Sequence, residues 1–429
     1  MKNLDIWSEG TLGAFCDIRI GGTPSRNNED YWDTEKETEN LWVSIKDLNA
    51  SHITETSEYI SDAGVKNSNV KKIHKGEILL SFKLTIGKVA FAGRPLYTNE
   101  AIAALSTEKL DNKFLFYGLQ KWNLLQDVDQ AIKGATLNKE KLKRIKFLYP
   151  ESKLVQSKIA EVIETVDSAI EKFEDLIAKQ KRIKTGLMQD LLTKGIDENG
   201  DIRSEESHQF KDTQLGRVPI EWEVKPLRCY AAIYGGYAFS SKDYVEEGIQ
   251  LIRIGNLFKN ALSLNRDPVF LDESFRNDYS RFLLRKGDII LSMTGTVGKR
   301  DYGFAVKIDT EDEFLLNQRV CKFVTNNITP EFLLIILHSE DYLKRLYDSA
   351  GGTKQANLNE SNILDIPIKM PSAPEQERIT RIFNKCEQTI TDNTLHLNKL
   401  KSIKVALMQD LLSGKKSVTS LLNDLEVVS

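Results

Sequence analysis

The sequence of 429 residues predicts an α+β protein, in which two mixed α/β globular domains are separated by two long antiparallel coiled-coil helices. Three observations lead to this prediction. Sequence blocks return in the same order after about 215 residues, short apolar runs fill the first part of each half, and heptads fill the second part. Because that period is far too long for a solenoid, it indicates a tandem duplication with pseudo-twofold symmetry.

The repeated blocks are easy to align. KGEILLSFKLTIGK at 75–88 returns as KGDIILSMTGTVGK at 286–299, and eight of the fourteen positions are identical. ATLNKEKLKRIKFLYP at 135–150 resembles QANLNESNILDIPIKMP at 355–371, and LMQDLL occurs at both 187–192 and 407–412. Trp7 and Trp222 each precede a Gly-Gly pair. The chain therefore consists of one two-part unit present twice.

The first part of each unit predicts a mixed domain, at 1–150 and at 220–371. Runs such as LWVSI and EILLSF in the first half, and IQLIRIGN and DIILSM in the second, are β-branched or apolar and are broken by glycine. Such runs are typical of strands. A helical stretch follows near 113–132 and near 330–347, where Pro330 suits a first helical turn.

The second part of each unit predicts a long helix, at 151–195 and at 372–415. Seam positions recur in steps of four and three, with Ile163, Ile170 and Ile177 on the flank of the first seam. A helix of 40 residues is about 60 Å long, and the other copy is the natural cover for its apolar face. The residues expected to pair the helices or to dock a partner are Ile159, Val166, Phe173, Gln180, Leu187, Ile379, Cys386, Asn393, Leu400 and Leu407.

The second seam is more polar than the first, because Asn393 and His396 replace Phe173 and Leu176. Two interpretations stay open. Polar residues at seam positions can specify register or partner, and a less buried helix can simply tolerate them.

The composition excludes several classes of protein. The four cysteines show no CxxC pair, there are five histidines, and the N-terminus lacks an apolar signal core, so we expect a cytoplasmic protein without a metal site. A net charge of −3 argues weakly against bulk nucleic-acid binding but allows a local basic surface. The polar stretch 196–219 is predicted as a linker, and 416–429 as a C-terminal tail.

With this organisation, the chain resembles the specificity subunit of type I restriction-modification enzymes, which are bacterial defence systems. The resemblance rests on the Trp and Gly-Gly start of each half, KGDIILS…GTVGK, NLN…IPI…P…EQERI at 357–379, the linker DENG…FKDTQLGRVPIEWEV and the repeated LMQDLL. It implies that each globular domain is a target-recognition domain for one half of a bipartite, asymmetric site on double-stranded DNA. The helices would set the spacer between the half-sites.

The resemblance also implies partners. Two methyltransferase subunits would dock on the helices and methylate adenine with S-adenosylmethionine, and motor-nuclease subunits would join them for cleavage. This chain would itself be non-catalytic.

Two other classes of protein compete with this interpretation: an enzyme, either a methyltransferase or a nuclease, and a structural scaffold. A DNA methyltransferase should show an Asn/Asp-Pro-Pro-aromatic loop, but the sequence contains no Pro-Pro pair, and GTVGKR lacks the spacing of a phosphate loop. A nuclease-like set, Asp212…Glu223-Val-Lys225, has no counterpart in the first half. A purely structural coiled-coil scaffold does not explain two large, different globular domains.

Candidate DNA contacts are the polar and basic residues in loops after repeated strands, since Lys, Arg, Ser and Thr bind phosphate and Arg, Lys, Asn and Gln read bases. A solvated loop or a strand-end turn is the alternative for each. The cluster 133–146 carries six basic residues against Glu140, whereas its counterpart in the second half is neutral. The candidates are Thr23, Ser25, Arg26, Lys83, Thr85, Lys88, Lys133, Thr136, Ser240, Ser241, Lys242, Asn256, Thr294, Thr296, Lys299, Arg300, Thr353, Lys354 and Gln355.

Overall fold

A computed structural model describes residues 6–125, 137–351 and 354–426, with the side chains of 423–426 excepted. The chain divides into two compact units. The first comprises Met1–Asp175 with Thr394–Ser429, and the second comprises Leu176–Asn393. Each unit contains one globular domain together with segments of both long helices. The predicted fold class is confirmed.

The globular domain of the first unit contains a five-stranded sheet of order β2-β9-β6-β7-β4, a three-stranded sheet of order β5-β3-β8, and the antiparallel pair β1-β10. Its strands are β1 (Trp7–Thr11), β2 (Asp17–Ile20), β3 (Leu41–Val43), β4 (His52–Ile53), β5 (Glu58–Tyr59), β6 (Ile78–Ser81), β7 (Val89–Ala92), β8 (Tyr97–Thr98), β9 (Ile102–Ser106) and β10 (Lys146–Pro150). Its short helices are Leu12–Phe15, Asp62–Lys66, Asn112–Lys121 and Lys139–Arg144.

The central strand β6 explains the continuous apolar run in the sequence. All four of its residues are buried, because β9 and β7 flank it and apolar clusters cover both of its faces. The helix Asn112–Lys121 packs on this sheet and starts at Asp111, whose carboxylate accepts from the Phe114 amide at 2.8 Å.

The globular domain of the second unit repeats this plan. The order β14-β25-β21-β23 matches β2-β9-β6-β7, β19-β16-β24 matches β5-β3-β8, and β13-β27 matches β1-β10. Its strands are β11 (Phe210–Thr213), β12 (Gly216–Pro219), β13 (Glu223–Pro226), β14 (Ala231–Gly235), β15 (Tyr244–Val245), β16 (Ile249–Ile252), β17 (Leu257–Phe258), β18 (Ala261–Leu262), β19 (Phe270–Leu271), β20 (Leu283–Leu284), β21 (Ile289–Ser292), β22 (Thr294–Thr296), β23 (Ala305–Lys307), β24 (Phe314–Leu316), β25 (Val320–Thr325), β26 (Gln355–Asn357) and β27 (Pro367–Met370).

The short helices of the second unit are Phe275–Asp278, Pro330–His338, Glu340–Ser349 and Glu360–Leu364. The helical stretch predicted near 330–347 is therefore two helices. Ser339 has extended backbone angles between them, and its hydroxyl oxygen accepts from the Tyr342 amide at 3.3 Å to start the second. This local side-chain cap is what divides the apolar pattern.

The two long helices each contain 39 residues. The first long helix is Lys153–Leu191 and the second long helix is Ala373–Leu411. Within the first unit they pair antiparallel, with Lys404 bonded to Asp167 at 2.6 Å and Lys401 bonded to Glu174 at 2.7 Å. Within the second unit Lys184 pairs with Glu387 in the same antiparallel sense.

The most buried stripe of each long helix differs from the predicted seam. Ile163, Ile170 and Ile177, which the heptad pattern placed on the flank, are buried, as are Phe383, Ile390 and Leu397 at the matching positions 220 residues on. Leu176 and Ile183 are exposed instead. Of these residues, Ile163 packs into the core of the first unit and Phe383 into the core of the second.

The segments predicted as linker and tail are folded. The stretch 196–219 contains the hairpin β11-β12 and buries Ile196 and Val218 in the core of the second unit. The tail contains a helix, Thr419–Glu426, and Val418 and Leu422 are buried in the core of the first unit. Both segments therefore contribute to domain cores rather than acting as tethers.

Candidate DNA interface

In the first unit, the Gly-Gly pair positions the loop that carries Thr23, Ser25 and Arg26. A Cβ on Gly21 would lie 2.3 Å from the carbonyl oxygens of residues 98 and 99, so only glycine allows this close approach. The Trp42 indole donates to the Gly22 carbonyl at 2.9 Å and ties the loop to β3. Ser25 and Arg26 are exposed at the loop's far end.

Arg26 is held in a defined orientation. Its guanidinium lies 3.7 Å from the centre of the Trp32 ring and donates through two nitrogens to the two carboxylate oxygens of Glu58. The hydrogen bond from Arg26 holds the pKa of Glu58 below its ordinary value. Half of the Arg26 side chain remains exposed, and the pair with Glu58 uses two of its five N–H donors.

The loop after β6 lies beside the Gly-Gly loop. Thr23 donates to Glu100, which lowers the pKa of that carboxyl group, and the positive charges of Lys83 and Arg26 lower it further. Lys88 reaches back to donate to the Ile45 carbonyl at 3.2 Å. Candidates from separate parts of the sequence therefore meet on one face of the first domain.

The loop after β6 is a short hairpin, and hydrogen bonds from the Ser81 side chain to the loop backbone constrain it. The buried Ser81 hydroxyl donates to the Thr85 carbonyl at 2.5 Å and accepts from the Lys88 amide at 2.9 Å. Leu84 lies at the tip with φ 62° and is 91% exposed. Lys83 bends over the Phe82 ring, with its ammonium 5.5 Å from the ring centre.

In the second unit, the loop after β21 is joined to the chain before β27. Strands β22 and β26 pair so that Thr296 lies opposite Gln355, and the Val297 amide donates to the Lys354 carbonyl at 3.2 Å. Lys299 and Arg300 are exposed, and Arg300 bonds Glu340 at 2.7 Å. The structure thus brings two predicted groups of candidates together.

The repeated Gly-Lys pairs do not occupy equivalent places. The Ser81 carbonyl accepts from Gly87, whereas the Ser292 carbonyl accepts from Gly303, so the second loop is five residues longer. Lys88 therefore corresponds to Phe304 and lies at the base of its hairpin, while Lys299 lies in the extra residues. Lys88 and Lys299 match in the sequence alignment but are not structurally equivalent. The five extra residues of the second loop separate its Gly-Lys pair from the base of the loop.

Two candidates, Asn256 and Thr294, are buried and therefore do not offer their side chains to DNA. Asn256 is 1% exposed, and its side chain bonds the Arg253 amide at 2.9 Å and the carbonyls of Ser263 and Arg266 at 3.1 and 2.9 Å. It closes a turn and has no group left for DNA. Thr294 is also buried, in β22.

Of the other candidates, three are exposed and three lie outside the described residues. Ser240, Ser241 and Lys242 are exposed in a short 3-10 turn that follows Gly235-Gly236. Lys133, Thr136 and Thr353 lie outside the described residues.

The predicted helix-pairing residues are mostly half-buried. Ile159 and Ile379 are buried in the cores of the first and second units, and Leu407 and Leu187 pack against those cores in turn. Two seam pairs meet across the helices. The Asn393 amide donates to the Gln180 side-chain oxygen at 3.0 Å in the second unit, and the rings of Phe173 and His396 lie 6.1 Å apart in the first. Val166, Cys386 and Leu400 are half-buried as well.

The repeated LMQDLL makes the same contact in both units. Leu191 is buried in the second unit and Leu411 in the first, each among residues of the globular domain. The glycine after each copy lies against the tryptophan that starts that domain. A Cβ on Gly195 would be 2.5 Å from the Trp222 ring, and one on Gly414 would be 2.9 Å from the Trp7 ring. The duplicated hexapeptide is thus a helix-to-domain joint.

Sequence reasoning missed a buried polar cluster in the second unit. Glu375, in the first turn of the second long helix, accepts from the Ile196 amide at 2.9 Å, from the Trp222 indole at 3.0 Å and from Arg203 through both oxygens. It also missed Gln156 and Gln376, which are buried at matching positions and tie each helix start to its domain. The EQERI motif contained Glu375 and Gln376, but no spacing pointed to their partners.

The described residues offer little for chemistry. They include no cluster of His, Cys, Asp and Glu arranged to hold a metal ion, and no helix among them could cross a membrane. Burial raises the pKa of the thiols of Cys16 and Cys321 to about 12, which disfavours the thiolate.

Two repeated domains that carry polar and basic loops and are joined to paired helices match the arrangement that the sequence resemblance implied. The chain belongs to the type I restriction modification DNA specificity domain family, whose model matches residues 5–179 and 219–402. The expected class, a non-catalytic specificity subunit, is thereby confirmed.

Related proteins cover nearly the whole chain. The MjaVIII specificity subunit of Methanocaldococcus jannaschii is 25% identical over 382 residues, which is 85% of this chain and 86% of that protein. The MjaIX specificity subunit of the same organism is 24% identical over 424 residues, covering 97% and 94%. The crystal structure of the type I S subunit from M. genitalium shares the fold, with a TM-score of 0.57, 15% identity, and 96% and 97% coverage.

Proposed function

We propose that each globular domain reads one half of a bipartite, asymmetric DNA site. The observation that carries this proposal is that the two domains share one sheet order but carry different loops. The loop after β6 is short and apolar at its tip, and the loop after β21 is longer and carries Lys299 and Arg300. Two domains with the same sheet order but different loops can bind two different half-site sequences, because loops carry the base contacts.

Arg26 is the strongest candidate for a base contact. A guanidinium fixed by a carboxylate and an aromatic ring loses little freedom on binding and can donate two hydrogen bonds to a guanine edge. Lys299 is instead a candidate phosphate contact, since it is exposed on a flexible stem. Lys299→Ala should weaken binding and reduce its salt dependence by about one charge. An unchanged salt slope would remove Lys299 from the interface.

The long helices are proposed to set the spacer and to dock two methyltransferase subunits, with motor-nuclease subunits joining for cleavage. Apolar side chains on both helices support this role. Leu395 and Val405 are 68% and 61% exposed in the first unit, and Leu176 and Ile183 are exposed in the second. A partner docked on the helices would remove these side chains from water, which favours binding.

The test is methylation mapping in cells that express this chain with its methyltransferase subunit. We expect methylated adenines in a motif of two short specified parts with an unspecified gap. A continuous motif, or methylation by the chain alone, would refute the proposal.

The spacer is tested by deleting one heptad from each helix in register, Phe173–Lys179 and Asn393–Lys399. These segments face each other according to the Asn393–Gln180 and His396–Phe173 contacts. The deletion removes about 10 Å of helix, so the mapped gap should shrink by about three base pairs or methylation should cease. An unchanged gap with full activity would contradict a spacer role and favour a generic scaffold.

A further inference from the structure

Leu84 combines two features that a structural leucine does not have. Its side chain is 91% exposed, so it contributes almost nothing to the core. Its φ of 62° lies in the left-handed region, which glycine and asparagine enter readily and leucine does not. Neither stability nor solubility explains an exposed leucine at a strained position.

The backbone around Leu84 is built to present that side chain. The Ser81 hydroxyl bonds the chain at Thr85 and at Lys88, on both sides of the tip, and the Gly87 amide returns to the Ser81 carbonyl at 2.9 Å. The tip therefore keeps its shape without support from Leu84. Strained residues held by their surroundings are concentrated at functional positions.

The surroundings of Leu84 indicate what its partner is. Lys83 is its direct neighbour, and the positive charges of Lys83 and Arg26 both lower the pKa of Glu100. A polyanion with stacked apolar faces, which is duplex DNA, matches both the cations and the isolated apolar tip. A protein partner would require a wider apolar patch, whereas Thr85 and Lys83 flank the leucine.

We propose that Leu84 is an apolar wedge that inserts against a base step of the half-site read by the first domain. The inference rests on the proposed function, because it requires that this domain binds duplex DNA. Apolar wedges of this kind partly unstack a base step, and flexible pyrimidine–purine steps are the easiest to unstack. Leu84 would then specify a position through deformability, without a hydrogen bond.

The test uses the complete complex with methyltransferase subunits and a duplex that carries the motif obtained by methylation mapping. Leu84→Asn removes the apolar group and suits the left-handed backbone, so the variant should melt at the same temperature or higher. Binding to the motif should weaken about tenfold, the scale of one base contact, with an unchanged salt slope. Leu148→Thr, which removes a half-exposed leucine from β10, is the matched control and should bind normally.

A spectroscopic readout separates a wedge from a general surface effect. 2-Aminopurine placed at successive positions of the first half-site should brighten at one step with the wild-type complex and stay quenched with Leu84→Asn. Normal binding and brightening by Leu84→Asn would overturn the inference, and so would weaker binding accompanied by a lower melting temperature. If the wild-type complex itself lacked sequence preference, the proposed function would fail instead.

Discussion

Replacing Glu375 by glutamine should strongly destabilise the second unit. The side chains of Glu375 and Arg203 are 3% and 10% exposed, so the mutation leaves a buried guanidinium without its counter-charge. Removing one partner of a buried pair costs about 3–5 kcal/mol, and we expect the lower end because glutamine can still accept from the Trp222 indole. For a unit of this size, about 3 kcal/mol lowers the melting temperature by about 6–12 °C.

The assay is thermal unfolding combined with hydrogen exchange at the Ile196 amide, which donates to Glu375. That amide should lose most of its protection. Glu205→Gln is the matched control in the same segment, since its pair with Arg217 is exposed and contributes less than about 1 kcal/mol.

A double variant completes the test of Glu375. Glu375→Met with Arg203→Met should be less destabilising than the sum of the two single changes, because no unpaired charge remains. If Glu375→Gln melts like Glu205→Gln, or if the two methionine changes simply add, the explanation by a buried charge is refuted.

Three further outcomes are expected. Arg26→Lys should keep the fold and the salt slope but relax the mapped motif at one position of one half-site, because lysine cannot donate the bidentate pair; an unchanged motif would exclude base reading. Gly414→Ala should lower the melting temperature of the first unit, because φ is 71° at this residue and the new methyl group would meet the Trp7 ring. Gly200→Ala is the control: φ is 97° there, but the space around it is open, so this variant measures the backbone contribution alone. Burial lowers the pKa of His338 below its ordinary value of 6.5, so the folded state favours the neutral ring. The free energy of unfolding should therefore fall as the pH drops through 6.5. Urea titrations at pH 5 and 8 should show a smaller loss of stability for His338→Gln.

The fold was predictable because its signals are local and repeated. Two copies of β6-like apolar runs, heptads and LMQDLL in one order require two similar domains and two similar helices. The position of the buried stripe was harder to predict. Heptads show that a helix has an apolar face, but only the folded chain shows that Ile170 and Ile390 are among its buried residues.

The candidate interface was predictable only in outline. Residue types identified Arg26 and Lys83, and the structure adds that they lie on one face together with Glu58 and Glu100. Asn256 shows the limit of this reasoning, because the same amide can read a base or close a turn, and burial decides between them.

The sequence by itself determined the duplication, the helical heptads and the absence of familiar catalytic motifs, since periodicity and motif spacing are properties of the chain order. The tertiary structure decided which residues meet. It joined Glu375 to Arg203 across 172 positions, separated Lys88 from Lys299 despite their matching motifs, and left Leu84 exposed on a strained turn. Such outcomes depend on contacts between distant segments, whose free energy is realised only when the chain packs.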